Sequence, residues 1–144
     1  MVVKMGNRAV ITTKDKEIAV YLHWNGGRDS VEAFLKYCEI CDFRPPEKDN
    51  YGWARLCQVI ANFFGAGGLS IGIDTYENLE TSADWDNGVY IIKDWKVIGR
   101  ERFKGIEQNV YNLEEALASI NEQQPDEMKK CFLETITKEK GQIA

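Results

Sequence analysis

The feature that most constrains the fold is an abrupt change of hydrophobic period at residues 25–27, which read Asn-Gly-Gly. Before them, strongly apolar side chains alternate along residues 18–24, the pattern of a half-buried β-strand. After them, apolar residues recur at helical spacing along residues 31–41, ahead of a proline pair that ends the pattern. The sequence therefore predicts a strand that turns directly into a helix, with Asp29 or Ser30 as its N-cap.

The rest of the chain also consists of segments with the strand-like or the helix-like hydrophobic period. The predicted strands are residues 8–13, 18–24, 69–74, 89–92 and 97–103. Four helices are predicted. Three start after N-caps, at Asp29 or Ser30, at Asp49 or Asn50, and at Asn112. The fourth starts at Pro125. Runs of strands followed by runs of helices indicate an α+β fold, here one domain of residues 1–144. We expect a mostly antiparallel sheet of about five strands, about four helices mainly on one face, and flexible ends at residues 1–6 and 139–144.

The composition indicates a protein with a packed core and an acidic surface. The 144 residues carry a net charge of −5 and are 44% apolar. Direct nucleic-acid binding is not expected, because it requires a basic surface. No apolar run approaches about 20 residues, and the first residues lack a signal-peptide pattern. We therefore expect a cytoplasmic location without membrane binding, and homo-oligomerisation stays open.

Neither the cysteines nor the glycines form a recognisable cofactor motif. Cys38 and Cys41 have Cys-x-x-Cys spacing, but they fall on a predicted helix without a second such pair. Together with Cys57 and Cys131 they are predicted to be reduced thiols of the core. The glycine-rich residues 65–68 follow a helix and lack the Lys-Ser/Thr of a phosphate loop. No bound cofactor or metal is expected.

The junction between the strand and the first helix has the parts of an anion-binding site. A helix start presents free backbone N–H groups and the positive end of the helix dipole. Gly26 and Gly27 allow a ligand to approach closely, and the Arg28 guanidinium fits a phosphate or a carboxylate. Two other outcomes stay open. Asp29 can occupy the cap and repel an anion, or Arg28 can pair with a carboxylate of the chain.

A polar row on the second predicted helix could complete this site. Its members lie at offsets of 4, 7 and 11 from the first and project along one side. They are Tyr51, Arg55, Gln58 and Asn62. The row is either a solvated face or a ligand-facing one. In the second case the ligand is a small anionic, nucleotide-like molecule held by two arginines and stacked on aromatic rings. The predicted ligand-binding residues are Trp24, Gly26, Gly27, Arg28, Tyr51, Trp53 and Arg55.

Residues 74–86, called the acidic segment below, are a second candidate surface. They contain five carboxylates and no Lys or Arg. The carboxylates are Asp74, Glu77, Glu80, Asp84 and Asp86. The segment is predicted to be a loop, and a solvated loop explains it without any function. The alternatives are a recognition surface for a basic host protein or a divalent-ion site, although the spacing is not that of a calcium loop. The basic hairpin of residues 93–104 could pair with it.

His23 is the only histidine and therefore the only histidine candidate for a general base. With Asp29 or a carboxylate of the acidic segment it could support phosphoester hydrolysis. A histidine on a strand next to a tryptophan is more often a structural hydrogen-bonding residue. We therefore favour a binding protein without catalysis, and we assign no catalytic residue.

Three phrases of the sequence resemble small uncharacterised proteins of clostridial and bacillar bacteria and their phages. They are residues 6–12 (GNRAVIT), 21–30 (YLHWNGGRDS) and 51–56 (YGWARL). The resemblance covers most of the chain and brings no assigned catalytic residues. It implies a phage or mobile-element setting, in which small acidic proteins counter host defences. They do so by sequestering a nucleotide signal or, as anti-CRISPR proteins do, by blocking a defence protein.

Overall fold

The computed structural model describes residues 6–65 and 70–143, with side chains as far as residue 138. The strands are β1 (Ala9–Thr13), β2 (Ile18–Leu22), β3 (Ile71–Thr75), β4 (Val89–Lys93) and β5 (Lys96–Glu101). The helices are α1 (Arg28–Ile40), α2 (Asn50–Phe64), α3 (Tyr76–Leu79), α4 (Leu113–Glu122) and α5 (Asp126–Ile143), with a 3₁₀ helix at Glu80–Asp84. The predicted α+β class is confirmed. Of the predicted flexible ends, residues 1–5 and 144 lie outside the described residues.

The five strands form one mixed sheet in the order β3-β2-β1-β4-β5. The predicted hairpin is present, since β1 and β2 pair antiparallel with Ile11 opposite Val20. The pairs β2–β3 and β4–β5 are also antiparallel, whereas β1 and β4 are parallel. Parallel neighbours need a crossover, and here α3 and the 3₁₀ helix carry the chain back across the sheet.

The central strand β1 is buried on both faces of the sheet. One face carries Ile11 and packs under the larger core that the four long helices help to build. The other face carries Val10 and packs against Tyr76 and Ala83. Burial on both sides explains why β1 reads as a continuous apolar run rather than an alternation.

The acidic segment is not the solvated loop that its charge predicted. Asp74 belongs to β3, and residues 76–84 form α3 and the 3₁₀ helix. Tyr76 and Ala83 are buried against the second sheet face, joined by the partly buried Leu79. These apolar residues at offsets of 3 and 7 hold one side of the segment on the sheet, and the carboxylates lie on the other.

Helix caps agree with the sequence at two helices and differ at the first. Asp49 accepts a hydrogen bond from the Tyr51 N–H, and Asn112 caps α4. At α1 the predicted cap was wrong, because Gly27 is the N-cap and has no side-chain bond. The physical reason is the backbone bond from Gly26 N–H to Asn7 O (2.8 Å), which holds the chain so that the helix begins at once.

None of the helices in the part of the chain that the structure describes is long and apolar enough to cross a membrane. The longest, α5, continues to Ile143, beyond the point where the sequence predicts a polar tail. The predicted strand start at Leu69 lies outside the described residues, and β3 begins at Ile71.

Candidate functional site

A cleft of about 250 Å³ lies at the start of α1. It opens at the end of the sheet where β1 and β4 begin and β2 and β5 end. Two arginines from distant parts of the chain, Arg28 and Arg100, line it, and we call it the Arg28–Arg100 cleft. The lining residues are Asn7, Gly27, Arg28, Asp29, Asn87, Tyr90, Arg100, Phe103, Ile106, Glu107 and Gln108.

Arg28 is held by two carboxylates. Its Nη2 lies 3.1 Å from Glu32 Oε1, one turn along α1, and its Nη1 lies 3.2 Å from Glu107 Oε2. Partial burial works against the charge of Arg28, but the two carboxylates outweigh it and raise its pKa. The outcome in which Arg28 pairs with a carboxylate of the chain is therefore confirmed.

Arg100 contacts the same Glu107 carboxylate as Arg28. Its Nη1 donates to both oxygens of Glu107, at 2.5 and 2.7 Å, and its Nη2 donates to the Asn87 carbonyl at 2.7 Å. The guanidinium lies 3.9 Å from the ring centre of Tyr90 and 4.1 Å from that of Phe103. The Arg100 side chain is only 12% exposed, and its buried Nε has no hydrogen-bond partner among the described residues.

The N–H groups at the start of α1 also have partners within the chain. Asp29 N–H donates to Gln108 Oε1 at 3.2 Å, and Ser30 N–H donates to Asp29 Oδ1 at 2.8 Å. Asp29 is therefore not the cap, which is Gly27, but its carboxylate accepts an N–H group of the first turn and places a negative charge at the helix start. An incoming anion must compete with these oxygens.

Glu107 and Gln108 reach the cleft from an irregular connection, residues 104–111, which we call the strap. It joins the end of β5 to α4 and contains no helix or strand. Its aliphatic residues Ile106 and Val110 are 94% and 93% exposed. The strap is thus held at the cleft by polar contacts of Glu107 and Gln108, while its apolar side chains face solvent.

Tyr90 fixes the floor of the cleft. Its hydroxyl donates to the Gly26 carbonyl at 2.7 Å, and burial raises its pKa. Gly26 was predicted to face a ligand, but its closest neighbour is the backbone of the chain. A Cβ at Gly26 would lie 2.4 Å from Asn7 O. This glycine allows close approach of β1 rather than of a ligand.

The remaining predicted site residues lie elsewhere. Trp24 is 42% exposed and packs edge-to-face on His23, outside the cleft lining. Trp53 is buried on α2 and lines a smaller cavity of about 190 Å³ with Thr13, at the far end of β1. Of the seven predicted residues, only Gly27 and Arg28 line the cleft.

The polar row of α2 does not line the cleft, and its first residue, Tyr51, is 36% exposed. Tyr51 lies between two guanidinium groups, 4.2 Å from Arg44 and 4.8 Å from Arg55. Asn62 donates to Gln124 Oε1 at 3.0 Å, so the end of the row is bound to the α4–α5 connection. The expected convergence of Arg28 and Arg55 on one site is therefore not seen in this cleft. Whether the residues of the row bind a ligand stays a prediction.

Basic residues neutralise much of the acidic segment. Arg102 donates to Glu80 Oε1 at 2.7 Å and lies 3.4 Å from Asp84 Oδ1, so the predicted pairing with the basic hairpin is confirmed for this arginine. Asp86 Oδ2 lies 3.6 Å from Arg8 Nε. Among the described residues, no group of three His, Cys, Asp or Glu side chains is placed to hold a metal ion.

The surroundings of His23 and of the cysteines indicate structural roles. His23 Nδ1 is hydrogen-bonded to the Tyr21 hydroxyl at 2.9 Å, and His23 does not line the cleft. All four cysteines are free thiols, as predicted. Burial raises the pKa of Cys41 to about 12 and that of Cys57 to about 11. Such thiols are poor nucleophiles at neutral pH.

Sequence reasoning missed most of the cleft. Arg100 was assigned only to the basic hairpin, and its register opposite Tyr90 places it on the helix-covered face instead. Glu107 carried no signal, because the strap has no period. Comparisons with protein-family models, with curated proteins and with solved structures find no match. The observation that bears most on function is therefore the convergence of two guanidinium groups on one carboxylate.

Proposed function

We propose that the protein is a non-catalytic binding protein that captures a small anionic, nucleotide-like ligand in the Arg28–Arg100 cleft. The observation that carries the proposal is the placement of both guanidinium groups around the Glu107 carboxylate. Paired guanidinium forks are the usual protein groups for holding a carboxylate or a phosphate. The proposed site keeps Gly27 and Arg28 of the predicted set and adds Arg100.

The rest of the lining suits the remainder of such a ligand. The side-chain amides of Asn7 and Asn87 are hydrogen-bonded to each other at 2.6 Å, and they supply donors and acceptors at the cleft wall. Phe103 and Ile106 supply apolar surface at its edge. The lining is mostly polar and charged, which suits an anionic ligand with several hydrogen-bonding groups.

The side chains that line the cleft favour binding without turnover. Its described lining residues include no histidine or cysteine, and His23 is hydrogen-bonded to Tyr21. Inhibition of a basic host protein through the acidic segment has weaker support, because Glu80, Asp84 and Asp86 already pair with arginines of the chain. In the mobile-element setting that the resemblance implies, capture of a nucleotide signal would counter a host defence.

The proposal is tested by calorimetry with a panel of cyclic and linear nucleotides. The informative variants are Arg28→Lys and Arg100→Lys, which keep the charge but remove the guanidinium fork. We expect each to weaken binding on the order of tenfold, as loss of a charge-assisted hydrogen bond does.

The matched control is Arg102→Lys. Arg102 follows the same strand but pairs with Glu80 and does not line the cleft, so its variant should bind like the wild type. Absence of heat with every nucleotide, or equal losses in all three variants, would refute the proposal.

A further inference from the structure

The Glu107 carboxylate occupies the position that an anionic ligand would take. It accepts two hydrogen bonds from Arg100 Nη1 and lies 3.2 Å from Arg28 Nη1. Next to it, the side-chain oxygen Oε1 of Gln108 accepts the Asp29 N–H at the start of α1. The strap therefore presents oxygen atoms to both guanidinium groups and to one N–H group at the helix start, which are groups that a bound anion would use.

The strap is poorly anchored apart from these contacts. It has no regular secondary structure, and Ile106 and Val110 contribute almost no buried surface. Segments with few buried apolar contacts open at low free-energy cost compared with the core. The polar contacts of Glu107 and Gln108 therefore decide whether the strap stays in place.

Volume and charge both oppose a ligand while the strap is in place. The cleft measures about 250 Å³, whereas ligand sites commonly span about 300–1,000 Å³. Its charged lining residues are Arg28 and Arg100 against Asp29 and Glu107, so their formal charges cancel. If Glu107 withdraws, one negative charge leaves the cleft, while Glu32 stays paired with Arg28 beside it. One further negative charge then restores the balance.

We propose that Glu107 is a displaceable internal ligand, and that the external ligand is a monoanion with two equivalent oxygens that takes its place between Arg28 and Arg100. A phosphodiester and a carboxylate both have this chemistry, because each shares one negative charge between two oxygens. The strap leaves the cleft when the ligand enters. This inference rests on the proposed function and names the ligand class and the competitor.

The first test compares Glu107→Gln with Glu101→Gln. Both remove one negative charge, but Glu101 pairs with Lys16 outside the cleft. The calorimetric probes are cyclic AMP as a phosphodiester, acetate as a carboxylate and AMP as a phosphomonoester. Glu107→Gln should bind cyclic AMP or acetate on the order of tenfold more tightly than the wild type, since an ionic competitor is lost. Glu101→Gln should match the wild type, and AMP should bind more weakly than the better monoanion.

The second test follows the strap by amide hydrogen exchange in the wild-type protein. Saturation with the better probe should speed exchange along residues 104–111 and slow it at the start of α1. If the wild type binds a nucleotide but Glu107→Gln binds it equally or more weakly, or if the strap becomes more protected, the inference is wrong and the proposed function survives. If neither protein binds any nucleotide or acetate, both fail.

Discussion

Two ionic clusters lie on opposite faces of the sheet at the end of β5, and they use almost adjacent arginines. Arg100 points to the helix-covered face and contacts Glu107, whereas Arg102 points to the other face and contacts Glu80. Residues two apart on a strand normally share a face. Here β5 ends at Glu101 and Arg102 has a φ of 58°, so the chain turns and separates them.

Burial is what distinguishes the two clusters. The Arg100 side chain is 12% exposed and lies against two aromatic rings, whereas the Arg102 side chain is 32% exposed and pairs with carboxylates at the surface. Exposed ion pairs contribute little to stability, while breaking a desolvated pair leaves a charge without compensation. The same pairing chemistry therefore makes a candidate binding site on one face and a solvated surface on the other.

The largest expected effect tests the rigidity of the cleft floor. In Gly26→Ala the new Cβ would lie 2.4 Å from Asn7 O, a backbone atom that cannot move without disturbing β1. We expect a loss of about 3 kcal/mol in the free energy of unfolding, measured by urea denaturation.

The control on the opposite face is Gly72→Ala. A Cβ there would meet only Tyr21 Cβ at 4.0 Å, so the change should be within about 1 kcal/mol of the wild type. Equal free energies of unfolding for the two variants would show that the backbone of the cleft floor accommodates a Cβ as easily as the other face does.

The next effect compares the two arginines directly. Arg100→Ala leaves Glu107 with Arg28 as its one ion-pair partner among the described residues and uncovers Tyr90. We expect a loss of about 2 kcal/mol in the free energy of unfolding, again by urea denaturation. Arg102→Ala should leave the unfolding midpoint close to that of the wild type. A larger loss in Arg102→Ala would reverse the ranking of the two clusters.

The smallest effect concerns salt. At about 1 M NaCl the Debye length is about 3 Å, so exposed pairs are screened while buried pairs are much less so. Any difference that Arg102→Ala shows at low salt should disappear at high salt, whereas the loss in Arg100→Ala should persist. Thermal unfolding scans of both variants at low and high salt measure this. Disappearance of both differences would mean that Arg100 acts as a surface charge.

Much of the fold follows from local sequence signals. The alternation before residue 25 and the helical spacing after it predicted β2 and α1, and Asp49 and Asn112 cap their helices as predicted. These features depend on neighbours a few residues apart. The short α3 was missed because its apolar residues are few and its charge suggested solvent. The parallel pairing of β1 with β4 was missed because period alone carries no information about strand order.

The sequence by itself determined where the strand turns into α1 and that an arginine stands at this helix start. Only the tertiary structure decided what that arginine meets. Asp29 and Gln108 are 79 residues apart in the chain, and Arg28 and Glu107 lie beside them. Their contact depends on the register that places Arg100 opposite Tyr90 and on the path of the strap after β5. Local periodicity reports which side of an element is buried, but it cannot report which distant charge arrives there.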